Sequence, residues 1–266
     1  MPLACSPAAP WAPAVSEEKA MQQQSVLETE LAWLLKMECA SVLGRIRKLL
    51  LGCAEVAEYV EGTKPETVRG GELEDGLRFS AAVNGTAVEG LQVQLSLSQL
   101  DQEGPVRLAM PRGQNVKLVL PQLLTWKNLL SNALSVITAP GTCNSLQAAC
   151  TGVNHLGRIL NQLLCAWPLE VPLSGPSSTA NAVSQLLQPK VPPQVYLDVC
   201  IAGVPPRFYV SAYPSRDAQG GVEPVHASAS VETLETSMTR ALTAQRLCKD
   251  LLEKLNIHKE LQRERR

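Results

Sequence analysis

Two stretches near the chain ends repeat apolar side chains at alternating steps of four and three. In the first, Leu35, Cys39, Val42, Ile46, Leu49, Cys53, Val56 and Val60 keep the rhythm. In the second, Leu234, Met238, Ala241, Gln245, Cys248, Leu252 and Leu255 keep it, with Gln245 as a polar interruption. A mean step of about 3.5 residues stacks side chains into one seam along an α-helix. The first helix is predicted from Ser25, capped in a box with Glu28, to a stop at Gly62 and Pro65. The second is predicted from about Val231 to Arg263. At about 1.5 Å per residue the rods are roughly 54 and 50 Å long. Ordering each residue costs about 1–2 kcal/mol of backbone entropy. A seam of small and medium side chains does not offset that alone, so each rod needs partners along most of its length.

Two further amphipathic stretches supply candidates. Pro121 suits the first turn of a helix, and Leu123, Trp126, Leu130, Leu134 and Ile137 form its stripe. Pro140-Gly141 breaks it. A second helix is predicted from about Cys143 to Ala166, with Leu146, Cys150, Val153, Leu156, Leu160, Leu163 and Leu164 for a buried face. The short turn between them predicts an antiparallel hairpin.

Elsewhere the period falls to two. Leu91, Val93, Leu95 and Leu97 alternate with polar neighbours, as do Val106, Leu108 and Met110, then Val116, Leu118 and Leu120. Asn84-Gly85 predicts a type I′ hairpin turn, and Arg112-Gly113-Gln114-Asn115 a second turn. A later pair, 194–202 and 207–213, is expected to share one sheet with the strands of 77–120. The expected class is α+β: a long-helix, four-helix-type bundle built from both chain ends and the middle, plus a small antiparallel β domain. Residues 1–24 read as a flexible tail. Residues 25–62, 121–167 and 231–263 read as a discontinuous helical bundle domain, and 68–120 with 191–213 as a discontinuous β domain. Residues 168–190 and 214–230 read as connectors, with a helical turn near Ala182–Leu187 in the first region and a mobile loop in the second.

Function classes narrow by exclusion. Lys and Arg number 24 and Asp and Glu 25, a net charge of −1. No broad attraction to nucleic acid or anionic lipid follows from that balance. No apolar run reaches the roughly 20 residues that cross a bilayer, and the proline-broken start lacks the basic front of a secretory signal. The cysteines, at 5, 39, 53, 143, 150, 165, 200 and 248, are scattered among Leu, Val and Ala. They read as small buried hydrophobes in a reducing cytosol. Zinc-type spacings and phosphate-binding glycine loops are missing, so no metal, cofactor or catalytic residue is assigned. Cys150 and His155 form the one conceivable thiol–imidazole pair, but five residues apart on a helix they point in different directions. Glu72 and Glu74 read as solvated loop acids. Asn84-Gly85-Thr86 matches a glycosylation acceptor, for which the hairpin-turn reading is preferred. The basic end from Lys259 to Arg266 suits a helix C-terminus.

Several segments together resemble the Rogdi family, the leucine zipper domain proteins related to the small second subunit of the RAVE complex. They are Val26–Leu35 (VLETELAWLL), Leu108-Ala109-Met110-Pro111-Arg112-Gly113, and Trp126-Lys127. To these add Val195-Tyr196-Leu197-Asp198-Val199, Phe208-Tyr209-Val210, and Leu247-Cys248-Lys249-Asp250-Leu251. The resemblance spans about residues 25–255. It implies a non-enzymatic adaptor in a RAVE-like complex that promotes assembly of the vacuolar-type proton-pumping ATPase and organelle acidification. The implied partners are a large propeller-bearing scaffold of the rabconnectin type and catalytic-sector subunits of the pump. The implied location is cytoplasmic, recruited to endosomal or vacuolar membranes only through partners. The heptad rods by themselves equally describe a generic coiled-coil or vesicle-tethering adaptor unrelated to proton pumping. Partner-binding residues are not assigned.

Overall fold

A computed structural model of the chain describes residues 17–58, 64–72, 74–96, 104–111, 116–169, 179–214 and 224–264. Residues 1–16 of the expected tail, Val60, Gly62, Leu97 and the turn expected at Arg112–Asn115 lie outside these.

The first rod is longer than its seam predicts. Helix α1 (Glu17–Trp33) runs through a π-helical segment (Leu34–Cys39) into α2 (Ala40–Ala57). Ser25 is therefore no cap. Its carbonyl accepts a bond from Thr29 Oγ1 at 2.8 Å inside the helix. The stretch ahead of it, Glu17–Gln24, is rich in Glu, Lys, Ala, Met and Gln, all good helix formers, and has no proline to stop it. The far end comes earlier than expected, with Glu58 already extended at φ −83°, ψ 122°.

Helix α3 (Pro121–Thr138) begins at its proline as expected, and Ala139 before Pro140 leaves the helical region at ψ 128°. Helix α4 (Leu146–Leu164) is capped by Ser145, whose side chain accepts from Ala148 N at 3.1 Å. A short helix, α5 (Ala180–Leu186), occupies the helical turn foreseen in the first connector, and α6 (Glu232–Arg263) forms the last rod. Helix α2 packs against α6 and α3, and α4 packs against the same two. The α2 and α6 axes run antiparallel: Arg240 Nη1 donates to Gly52 O at 2.7 Å, and Lys254 pairs with Glu38 further along.

Because α2 has two neighbours, its buried face is wider than a zipper seam. Cys39, Ile46 and Cys53 are fully buried as read, but Leu43, Leu50 and Ala57 are buried more deeply than Val42, Leu49 and Val56. In α6 the polar interruption resolves the same way. Ala244 takes the buried place, while Gln245 turns aside and donates to Asn161 Oδ1 of α4.

The strands form two antiparallel sheets, not one. The first contains β1 (Glu66–Gly70), β2 (Leu77–Asn84), β3 (Ala87–Leu95), β4 (Val106–Ala109) and β5 (Leu118–Val119). Its order is β1-β2-β3-β4, with β5 on the Ala87–Val88 end of β3. The second holds β6 (Val195–Ala202), β7 (Arg207–Pro214) and β8 (Val225–Ser230) in that order. The segment read as a mobile loop thus contributes a paired strand; residues 215–223 of it lie outside the described set. The sheets meet where β8 lies against β1, and Phe79 meets Phe208 with ring centroids 5.5 Å apart. The approach is close at Gly70, where an added Cβ would sit 2.3 Å from Ser228 O.

The β2–β3 hairpin also corrects its expected turn. Asn84 pairs with Ala87, so the two loop residues are Gly85 and Thr86. Only Gly85 has positive φ, 55°, which fits type II′ rather than I′. One contiguous apolar cluster joins these sheets to the long helices.

Candidate interaction surface

Cys150 and His155 point apart, as their spacing on a helix predicts. Cys150 is buried at the start of α4, whereas His155 points to solvent. The thiol has other sulfur near it: Cys39 and Cys143 hydrogen-bond to each other, and both Cys143 and Cys150 are pushed above the usual thiol range by burial. Burial pushes Cys39 and Cys200 up to about 12, and Cys53 and Cys248 up to about 11. Thiols held protonated are poor nucleophiles and poor metal ligands. Instead they act as weak donors, Cys53 Sγ to Ser237 O and Cys248 Sγ to Val153 O, each at 3.3 Å. Among the described residues no group of three His, Cys, Asp or Glu is arranged to hold a metal ion.

Strand register creates one polar row that sequence reading missed. Asp198, Ser211 and His226 stand opposite one another on β6, β7 and β8. His226 Nδ1 lies 2.8 Å from Ser211 Oγ and its ring meets Tyr213 edge-on. The Asp198 carboxylate accepts from Val199 N at 2.9 Å and from the Thr179 hydroxyl. A nucleophilic relay places imidazole between hydroxyl and carboxylate; here the serine occupies the middle strand. Only pairing brings these three together, so no spacing in the sequence could have revealed them.

The remaining motifs take their plain readings. Asn84 is buried and its Nδ2 donates to Glu89 Oε1 at 3.0 Å, so the glycosylation-type amide is engaged within the turn. Glu72 and Glu74 are exposed. In the terminal basic run Arg263 pairs with Glu260 at 3.1 Å in solvent; Arg265 and Arg266 lie outside the described residues.

Among the described residues, large apolar side chains are exposed at several positions, including two ends of the fold. At the C-terminal end of α6, Trp33, Met37 and Ile257 are 57%, 57% and 59% exposed. A cleft of about 400 Å³ opens there between Glu30, Trp33 and Glu38 on one wall and Lys254, Ile257 and His258 on the other. Glu38 holds the Lys254 ammonium above its ordinary range. At the sheet end Leu169 and Val204 are exposed, in two segments tied by the bond from Gly203 N to Pro168 O at 2.9 Å. Exposed large apolar groups gathered in patches mark interaction sites. Among the described residues no helix is long and apolar enough to cross a membrane.

Residues 30–203 match the family described as Rogdi leucine zipper containing protein. The chain belongs to the Rogdi family. The match starts near the end of α1, takes in α2, both middle helices and the whole first sheet, and ends just after β6. Within the span shared with the Rogdi family, α2 presents the wide apolar face that meets α6 and α3. No curated protein matches the chain.

Proposed function

We propose that this Rogdi-family chain is a non-catalytic adaptor subunit of a RAVE-like complex that promotes assembly of the vacuolar-type proton pump. In this reading α2, α3, α4 and α6 act as one four-helix bundle that carries surfaces instead of a reaction centre. The observation that carries it is the pair of exposed apolar patches, one at the far tip of the long helices and one at the β6–β7 turn. An adaptor needs at least two such surfaces, and along α6 the 25 residues from Glu232 to Ile257, at about 1.5 Å each, hold them roughly 38 Å apart. The proposed partners are a propeller-bearing scaffold and the catalytic sector of the pump, the classes that the resemblance to the RAVE small subunit implies. The chain would then work in the cytoplasm and reach endosomal or vacuolar membranes through those partners.

Affinity purification of the tagged chain from its own cells tests the proposal, together with organelle pH after its loss. Recovery of a propeller scaffold and pump subunits, with raised luminal pH in depleted cells, is expected. Recovery of vesicle-tethering proteins with unchanged luminal pH would replace this reading with a generic coiled-coil adaptor.

A further inference from the structure

We infer that Cys143 is an oxidation site, at which hydrogen peroxide is reduced and a disulfide to Cys39 results. The two thiols are already in contact, with the Cys39 S–H donating a hydrogen bond to the Cys143 sulfur. They stand 104 residues apart in the chain, so only the fold joins them. Cys39 ends the π-helical segment, whose widened turn carries Leu34 and Cys39, five residues apart, into the core together. Such turns recur at functional sites. Cys143 is half-buried in the α3–α4 turn. Its neighbours hold that turn: Thr142 Oγ1 donates to Ala139 O at 2.9 Å, and Asn144 N to Gly141 O at 3.0 Å. The π-helical segment also packs directly on α4.

The contact gives the two sulfurs different roles. Cys39 is fully buried, whereas Cys143 keeps a side open to solvent. Burial raises both thiols, but at Cys143 the bond from Cys39 opposes the rise, because a donated hydrogen bond favours the thiolate that accepts it. Cys143 therefore ionises first, and its thiolate is the nucleophile. Its sulfur attacks one oxygen of the peroxide. An S–O bond forms, the O–O bond breaks, and the departing hydroxide takes up a proton as water. The Cys39 sulfur then attacks the sulfenic sulfur, the S–O bond breaks, and a second water leaves with the Cys39 proton. Two thiols and one peroxide become one disulfide and two waters, with two electrons passing from sulfur to oxygen. Bonded sulfurs lie about 2.05 Å apart, closer than hydrogen-bonded ones. The turn, outside either helix, is the side that yields, and the link pins the π-helical segment to the α3–α4 hairpin. Because burial still holds Cys143 above the usual thiol range, the reaction is slow and answers sustained peroxide.

The test uses the purified full chain and needs no other protein, so it stands apart from the proton-pump reading. Cys5→Ser and Cys165→Ser are introduced together to remove the tail thiol and the exposed one. After prolonged treatment with excess hydrogen peroxide at pH 8, the intact chain is expected to have lost two hydrogens. Peptide mapping without reductant should join the Cys39 peptide to the Cys143 peptide, and dithiothreitol should separate them. With Cys39→Ala added, Cys143 should stop at the sulfenic acid and be trapped by dimedone. With Cys143→Ala added instead, Cys39 should stay reduced, because peroxide then meets no accessible thiol beside it. Cys150→Ala should leave the Cys39–Cys143 link in place. The parent chain decides the matter even where a variant folds poorly. Cys39 and Cys143 both remaining reduced under that treatment overturns the inference. So does a link from Cys143 to Cys150, or a Cys143 oxidised to sulfinic acid while Cys39 stays free.

Discussion

Glu66, on the first strand, caps the last helix. Its Oε1 accepts from Glu232 N at 2.7 Å, and its Oε2 accepts from the hydroxyl of Thr233 at 2.5 Å. The residue that precedes α6, Val231, offers no side-chain cap. A carboxylate 166 residues away in sequence thus serves the helix N-terminus, where unpaired amides and the helix dipole favour negative charge. Glu66→Ala should lower stability by about 1 kcal/mol, read as a reduced midpoint in urea unfolding with an unchanged slope. Glu66→Gln should recover part of that loss.

Arg240 ties the rods together through a backbone carbonyl. Its Nη1 donates to Gly52 O at 2.7 Å, and a Cβ on Gly52 would come 2.8 Å from the same nitrogen. Arg240→Met keeps the stem but removes the charge-assisted bond, at a cost of about 1.5–3 kcal/mol. Gly52→Ala should disturb the same contact, so the double variant should lose less than the sum of the singles in a double-mutant cycle.

Ser237 is fully buried with no partner for its hydroxyl, while its carbonyl accepts from Cys53. Removing an unpaired buried hydroxyl relieves a desolvation cost of about 1–3 kcal/mol. Ser237→Ala should therefore be neutral or stabilising by up to about 1 kcal/mol in thermal melts, an unusual sign for a change in a packed helix.

His226 sets a pH dependence. Burial holds its imidazole below the usual range near 6.5, so the unfolded chain takes up the proton first as pH falls. Below about 6.5 the unfolded state binds more protons and stability declines, levelling once the folded-state pKa is passed. The stability difference between wild type and His226→Phe should fall between about pH 7 and pH 5, measured by urea unfolding at each pH. A difference that rises over that window contradicts the burial argument.

Thiol accessibility gives a quick check of the packing. Among the described cysteines Cys165 is exposed, whereas Cys39, Cys53, Cys150, Cys200 and Cys248 are buried and held protonated. In a Cys5→Ser background, iodoacetamide at pH 8 should label Cys165 within minutes. The five buried thiols should react only after unfolding, as peptide mass mapping would show.

The helices were legible because seam and stripe are periodic, yet the details went astray for identifiable reasons. A heptad reading assumes one partner, and α2 has two, so its buried line fell one residue away, at Leu43 and Leu50. The π-helical segment left no trace because its extra residue per turn changes which side chains align, not which types are present. Strand β1 (ETVRG) buries little beyond Val68, and β8 (VHASAS) is built from small residues that also suit loops. Both stand where the sheets meet, so missing them merged two sheets into one. The polar row and the exposed Trp33–Ile257 cleft depend on register between distant segments, which a single sequence does not encode locally.

The antiparallel union of α2 with α6 sets a timetable for synthesis. A ribosome finishes Ala57 long before it starts Glu232. At about 5–20 residues per second the interval is roughly ten to thirty-five seconds. Throughout that delay the greasy side of the early rod awaits its mate, and a message cut short by a premature stop would release it permanently unmatched.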